Sequence, residues 1–184
     1  MPAKLIEQKD NRVTIQLTVE LTGQMLTDEQ ALQQSLNEAG QVAMIPMIKQ
    51  FDTQGEPIRV QGVKHTAKDY APQTYETPYG PVQVKRHTYQ TCKGGRAYVP
   101  LEHDARMILN STPRYSQMVS GKYARFGADA ICEDLLECNG RRLSRNYAKK
   151  LSDFVGSVAQ CYETEWDYDL PELDRPVASV GLGL

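Results

Sequence analysis

The densest group of chemically useful side chains lies between residues 141 and 150, where five Lys or Arg residues occur without an acid. Arg can donate paired hydrogen bonds to guanine, Asn can pair with adenine, and Lys neutralises phosphate. A segment that combines these three residue types is suited to contact with DNA. The candidate DNA-binding residues are Arg141, Arg142, Arg145, Asn146, Lys149 and Lys150.

A helix over this segment would have two contrasting sides. At about 100° per residue, Arg142, Arg145 and Lys149 fall on one side, with Asn146 and Lys150 beside them. The opposite side carries apolar residues at the spacing of a helix packed on a core. This predicted stripe consists of Leu143, Tyr147, Leu151, Phe154 and Val158.

The preceding residues predict a partner helix and a short turn. Ala128–Glu137 has helical spacing, Gly140 suits the position just past a helix end, and Ser144 can cap the next helix. Together with a helix that begins near Tyr115, this gives a helix-turn-helix three-helix unit. Arginines around a helix N-terminus are repelled by the positive end of the helix dipole. A bound phosphate would relieve this repulsion. The alternative is a solvent-exposed basic face on an ordinary helical bundle.

The residues before this unit predict an α+β fold. Arg12–Leu21 alternates as a half-buried strand does, and Thr27–Gln30 is a capping box that opens a helix kinked or ended by Pro46. Residues 57–100 read as short strands of a small antiparallel sheet, and Leu101–Leu109 as a helix. We therefore expect an N-terminal α+β domain over residues 1–110, a helix-turn-helix domain over 111–160, and an acidic linker followed by a strand over 161–184.

Charge is unevenly distributed along the chain. Glu56–Pro100 holds seven Lys or Arg residues against three acids, whereas Cys161–Pro176 holds six acids against one Arg. Lys85, His87 and Tyr89 share one face of a predicted strand, which we interpret as a solvent-exposed outer face, with an accessory DNA contact as the alternative. The acidic segment is interpreted as a linker.

Composition excludes several classes of protein. Hydrophobic residues make up 40% and charged residues 24%, with a net charge of −2, as in ordinary globular proteins. The four cysteines form no C-x-x-C pair, so neither a zinc site nor a disulfide framework is indicated. No segment has the length of a signal peptide or membrane span. We expect a cytoplasmic, nucleoid-associated protein that does not contact membrane.

Catalytic motifs are weak throughout. His103-Asp104-Ala105-Arg106 matches the H-x-x-R of tyrosine recombinases, with Tyr123 or Tyr147 as nucleophile, but so short a pattern recurs by chance. No phosphate-binding loop or hydrolase nucleophile motif is present. We expect no catalytic residue, no metal site and no cofactor in this chain.

A series of short segments occurs in a fixed order along the chain. The segments are Tyr75–Val82, Tyr89-Gln90-Thr91-x-x-Gly94-Gly95, Pro100-Leu101-Glu102-x-Asp104-Ala105-Arg106, Ser111–Arg114, Asn139-Gly140-Arg141 and Pro176-Val177-x-x-Val180-x-Leu182-Gly183-Leu184. In this order they resemble the N-terminal half of ISKra-type insertion-sequence transposases. The resemblance covers most of the chain, and Cys92-Lys93 departs from it where small polar residues are expected.

The resemblance implies a DNA-binding region that precedes an RNase H-like catalytic domain with three acidic metal ligands. In that family the first catalytic Asp follows the segment that resembles Val180–Leu184, so Mg²⁺ is expected only for a catalytic domain beyond it. The expected function is recognition of double-stranded DNA at transposon ends, with a homodimer as one form. A stand-alone regulator of transposition is the second hypothesis, and a protein-interaction module with an acidic partner is the third.

Overall fold

A computed structural model of the chain describes residues 3–9 and 12–163. Within them the chain has an α+β fold with a two-stranded ribbon, a four-stranded sheet and four helices. The elements are β1 (Ala3–Lys9), β2 (Arg12–Leu17), α1 (Met25–Lys49), β3 (Ile58–Val60), β4 (Val63–Thr77), β5 (Gly80–Thr91), β6 (Gly94–Tyr98), α2 (Pro100–Asp104), α3 (Pro113–Asn139) and α4 (Arg145–Glu163).

The four-stranded sheet is an antiparallel meander in the order β3-β4-β5-β6, which confirms the predicted small sheet. Its two longest strands, β4 and β5, form a hairpin whose turn is closed by the pairing of Thr77 with Gly80. The Thr77 hydroxyl donates a hydrogen bond of 2.6 Å to the Gly80 carbonyl and fixes the turn. Strand β4, with 15 residues, is longer than the short strands that the sequence pattern predicted.

Helix α1 covers one side of this sheet and also contacts the β1–β2 ribbon. One close approach is at Gly40, where a Cβ atom would lie 2.3 Å from Cγ of Tyr79. Only glycine therefore fits this position without displacing the ring. The core beneath the helix is formed by Ile48, Tyr75, Val82, Val84 and Leu101.

A second core lies between α3 and α4. Gly127, with φ 76° and ψ 179°, divides α3 into helical segments over residues 113–126 and 128–139. The helix expected over Ala128–Glu137 is thus present as the second segment. The fully buried side chains of this core are Tyr115, Val119, Ile131, Leu135, Ala148 and Leu151.

Several predicted boundaries are wrong at the N-terminal end. The strand expected over Arg12–Leu21 ends at Leu17, and it pairs with β1, which was not predicted. Helix α1 begins at Met25, ahead of the proposed capping box, because the Asp28 carboxylate accepts hydrogen bonds from the segment before the helix, at Thr22. Hydrogen bonds from Thr22, chiefly from its backbone N–H, stabilise the charged Asp28 carboxylate and lower its pKa.

The helix expected over Leu101–Leu109 is also wrong, because α2 ends at Asp104. Arg106, Leu109 and Asn110 have positive φ values of 53°, 48° and 61°, so the chain reverses direction where a helix would continue. The predicted linker and strand over residues 161–184 lie outside the described residues, except for Cys161–Glu163, which belong to α4. The predicted domain boundary after residue 110 stays a prediction.

Candidate nucleic-acid interface

The connection between α3 and α4 is short and closed by local hydrogen bonds. Gly140 adopts the left-handed conformation with φ 62°, and its N–H donates to the Leu136 carbonyl at 3.0 Å. The N–H of Arg141 donates to the Leu135 carbonyl at 2.8 Å, which completes the helix end. Ser144 Oγ accepts the N–H of Tyr147 at 3.2 Å and caps α4. The predictions for Gly140 and Ser144 are confirmed.

The buried side of α4 differs from the predicted stripe. Ala148 and Leu151 are fully buried and Val155 packs against them, whereas Phe154 and Val158 are 48% and 37% exposed. The prediction that the last two pack in the core is wrong. Ala148, Leu151 and Val155 also have helical spacing, and the small Ala148 side chain allows α3 to approach closely.

Tyr147 anchors the start of α4 to the loop before α3. Its hydroxyl bonds with Ser111 Oγ and donates to the Leu109 carbonyl at 3.0 Å. Burial raises the pKa of Tyr147, whereas an attacking phenol needs a lowered pKa. Tyr147 is therefore suited to holding α4 in place and poorly suited to the recombinase chemistry considered from the sequence.

Four of the six candidate residues lie on α4, and a fifth, Arg142, lies in the connection before it, because α4 begins at Arg145. The prediction that Arg142 shares a helical face with Arg145 and Lys149 is therefore wrong. Arg142, Arg145, Asn146, Lys149 and Lys150 are all exposed. Arg145 pairs with Asp129 of α3, yet its side chain remains 73% exposed. Among the described residues, no carboxylate lies within ion-pair distance of Arg142, Lys149 or Lys150. We call these five residues, four on α4 and Arg142 in the connection directly before it, the basic face of α4.

Arg141, the sixth candidate, is placed differently. Its side chain is 8% exposed and its guanidinium pairs with the Glu76 carboxylate from β4. The same guanidinium lies 5.3 Å from the centre of the Tyr115 ring, within cation–π range. Because its charge is engaged inside the protein, Arg141 does not contribute to the basic face.

Sequence reasoning did not identify Glu76 or Tyr115 as partners of Arg141. Glu76 and Arg141 are 65 residues apart, and nothing in the local pattern around Glu76 indicates a partner. The sequence offered one indication of such a pair, which is that Glu76 is an acid in a strand with little other negative charge. The two side chains meet only because α3 packs against β4 and the connection after α3 carries Arg141 to Glu76.

The strand face that carries Lys85, His87 and Tyr89 is partly covered, so its interpretation as a solvent-exposed outer face is wrong. His87 Nδ1 lies 3.0 Å from an Asp52 carboxylate oxygen, and the Tyr89 hydroxyl bonds with Thr53 at 2.6 Å. The loop after α1 therefore crosses this face. Lys85 alone of the three remains exposed.

Other chemistry has little support in the part of the chain that the structure describes. There, no group of three or more His, Cys, Asp or Glu side chains is arranged to hold a metal ion. The imidazole of His103 bonds with Asp104 at the surface. No helix within residues 3–9 and 12–163 combines the length and the apolar character needed to cross a membrane.

Comparisons with known proteins give no further assignment. No protein-family model matches the chain, and no curated protein is significantly similar to it.

Proposed function

We propose that the chain binds double-stranded DNA through the basic face of α4. In this proposal the second segment of α3 and α4 act as a helix-turn-helix, and α4 is the helix that enters the major groove. The observation that carries the proposal is the combination of this exposed face with buried side chains at Ala148 and Leu151 on the side of α4 that packs on α3. Ala148 and Leu151 hold the helix on α3 while the cations face solvent.

The dimensions and residue order of α4 suit this role. A helix of 19 residues is about 28 Å long, and the major groove is wide enough to admit a helix. Recognition helices use their N-terminal residues on base edges. Arg142, Arg145 and Asn146 lie at that end and are assigned to bases, whereas Lys149 and Lys150, one turn further, are assigned to phosphates.

The electrostatics of the free protein also favour an anionic partner. Arg142 and Arg145 lie at the positive end of the α4 dipole, where positive charge is unfavourable. Asp129 offsets part of this for Arg145, and Asp153 lies one turn after Lys149. A DNA phosphate near the start of α4 would relieve the remaining repulsion. Since the net charge of the chain is −2, this basic character is a local property and not a property of the whole chain.

The resemblance to ISKra-type transposases supports a narrower form of the proposal. In this form the chain is the part of an insertion-sequence transposase that recognises transposon ends. The basic face of α4 then reads a sequence within the terminal repeats.

A selection from a random-sequence duplex pool tests both forms. The purified chain is expected to enrich one sequence family, and that family is expected to occur in the DNA that flanks its own reading frame. The α4 variant, with Arg142→Ala, Arg145→Ala and Lys149→Ala, is expected to enrich no sequence. A control variant removes the same charge elsewhere, at Lys4, Lys9 and Lys49 on β1 and α1, and is expected to enrich the wild-type family.

Two results would contradict the proposal. If the wild-type chain enriches no duplex, DNA recognition fails as a whole. If the α4 variant enriches the same sequences as the wild type while remaining folded, the basic face of α4 does not recognise the DNA sequence. Enrichment of a sequence absent from the flanking DNA would leave duplex recognition standing and reject the transposon-end assignment.

A further inference from the structure

A second group of exposed cations lies at the end of the four-stranded sheet farthest from the Thr77–Gly80 turn. Thr66 pairs with Gln90, so the β3–β4 turn at Gln61-Gly62 and the β5–β6 turn at Cys92-Lys93 lie at the same end. The cations on these turns and the strands beside them are all exposed. We call Arg59, Lys64, Lys68, Lys93 and Arg96 the distal cluster.

Among the described residues, no acid forms an ion pair with the distal cluster. Glu76 forms an ion pair with Arg141. Glu102 forms an ion pair with Arg86, which is the one Lys or Arg of the sheet with an ion pair among the described residues. The Asp69 carboxylate accepts the backbone N–H of Tyr70 at 2.8 Å.

The register of β3 and β4 adds repulsion to this excess of charge. Arg59 lies directly opposite Lys64, and like charges at such a position destabilise an antiparallel pair. Gln61 and Gly62 both have positive φ, 49° and 81°, which gives the tight turn that a short hairpin needs. The hairpin therefore holds two cations close together at an exposed tip, and the free protein gains no stability from them.

The geometry points to a second DNA-contacting surface at the distal cluster, distinct from α4, that engages backbone phosphates of the duplex. A two-stranded β-ribbon fits the major groove, and Lys and Arg on it can reach the phosphates at the edges. An acidic protein is a poorer fit, because protein interfaces are centred on apolar side chains and depleted in Lys. Three of the five cations here are Lys, and Val63 is the exposed large hydrophobic residue beside them. The inference rests on the duplex binding of the proposed function, and not on the part that α4 takes in it.

Salt-dependent binding separates the two surfaces. A distal variant with Arg59→Gln, Lys64→Gln and Lys93→Gln is compared with the wild type and with the α4 variant on one mixed-sequence duplex. Each lost phosphate contact lowers the slope of log K against log salt by about 0.9. The distal variant is expected to lose about 1.8 to 2.7 from the slope. Its melting temperature is expected to equal or exceed that of the wild type, because the Arg59–Lys64 repulsion is removed.

The possible results distinguish a failure of this inference from a failure of the proposed function. If the α4 variant loses affinity and the distal variant keeps the wild-type affinity and slope, the inference is overturned and the proposed function stands. If the distal variant alone loses affinity, the inference stands and the role of α4 is overturned. Absence of wild-type binding overturns both, and stronger binding of the distal cluster to an RNA duplex of the same length overturns the DNA assignment.

Cys92, an exposed cysteine in the β5–β6 turn, provides a direct measure of proximity. A variant that keeps Cys92 and replaces the other three cysteines by Ser is labelled there with a photoactivatable cross-linker. We expect cross-linking to the duplex upon illumination. A matched probe at the exposed Gln83, placed by Gln83→Cys with Cys92→Ser in the same background, lies near the opposite end of β5 and is expected to cross-link little. Equal yields from the two positions would overturn the inference.

Discussion

The Arg141 guanidinium pairs with the Glu76 carboxylate, and this pair joins the α3–α4 connection to the end of β4. Backbone hydrogen bonds surround it, since the N–H of Thr112 donates to the Glu76 carbonyl at 2.9 Å and the N–H of Glu76 donates to the Asn110 carbonyl at 2.7 Å. The start of α4 is thereby fixed relative to the sheet. A residue that the sequence suggested as a DNA contact instead positions the helix that carries the basic face.

Arg141→Ala should lower the free energy of unfolding by about 2–3 kcal/mol, because it leaves Glu76 without its partner and removes the contact with Tyr115. Glu76 is 34% exposed and can regain water, which keeps the cost below that of a fully buried pair. Urea unfolding measures the change. Arg142→Ala, at an exposed neighbour, should stay within about 0.5 kcal/mol of the wild type. Equal effects of the two substitutions would show that the pair adds no stability.

Leu151→Ala should lower the free energy of unfolding by about 2–5 kcal/mol, because Leu151 is fully buried between α3 and α4. Phe154 is its matched control on the same helix, since it is larger but 48% exposed. Phe154→Ala should cost less than about 1 kcal/mol. If Phe154→Ala proves the more costly of the two, α4 packs on α3 through the stripe predicted from the sequence.

Local signals in the sequence predicted much of this region correctly. Gly140 and Ser144 were identifiable because a helix end and a helix start each depend on backbone groups within a few residues. The rotation of α4 was not predictable, because Ala148–Leu151–Val155 and Leu151–Phe154–Val158 have the same helical spacing. Only the neighbouring helix decides between two such stripes.

Features that depend on residues far apart along the chain could not be predicted from the sequence, for the same reason. The length of β4 depends on pairing with β5 along eleven residue pairs, which compensates for the poor strand propensity of Pro72. The side-chain position of Arg141 depends on Glu76, far away along the chain. Exposure of the basic face could be predicted because a run of cations without acids has few ways to be buried.

Gly40→Ala should destabilise the protein by about 1–3 kcal/mol, because the new methyl group would overlap the Tyr79 ring. The loss is expected although alanine is the better helix former. Gly121 in α3 is the matched control, since a Cβ atom there meets nothing within 4 Å. Gly121→Ala should stabilise the protein by up to about 1 kcal/mol. Thermal or urea unfolding measures both, and a stabilising Gly40→Ala would contradict the close approach of α1 to the β4–β5 turn.

Stability should fall in alkaline solution. Burial is the main cause that raises the pKa values of Tyr75, Tyr115 and Tyr147, whereas the unfolded chain ionises its tyrosines near pH 10. The unfolded state therefore loses protons first. The free energy of unfolding should be independent of these groups below about pH 10 and decrease above it.

Tyr115→Phe tests this origin of the alkaline sensitivity. The substitution keeps the ring beside Arg141 and removes an ionisable group, so it should make the decline above about pH 10 less steep. Urea unfolding at a series of pH values measures the slope, and phenolate absorbance reports ionisation. Phenolate formation by all tyrosines near pH 10 in a chain that stays folded would show that these side chains are accessible to water.

The most direct test of the account is the salt dependence of duplex binding by the wild type and the α4 variant. The wild-type chain should bind a mixed-sequence duplex with an affinity that falls as salt increases. Loss of Arg142, Arg145 and Lys149 should weaken binding and reduce the slope of log K against log salt by about 0.9 for each phosphate contact removed, with an unchanged thermal melt. Unchanged affinity and slope in a natively folded α4 variant would contradict the claim that α4 contacts DNA.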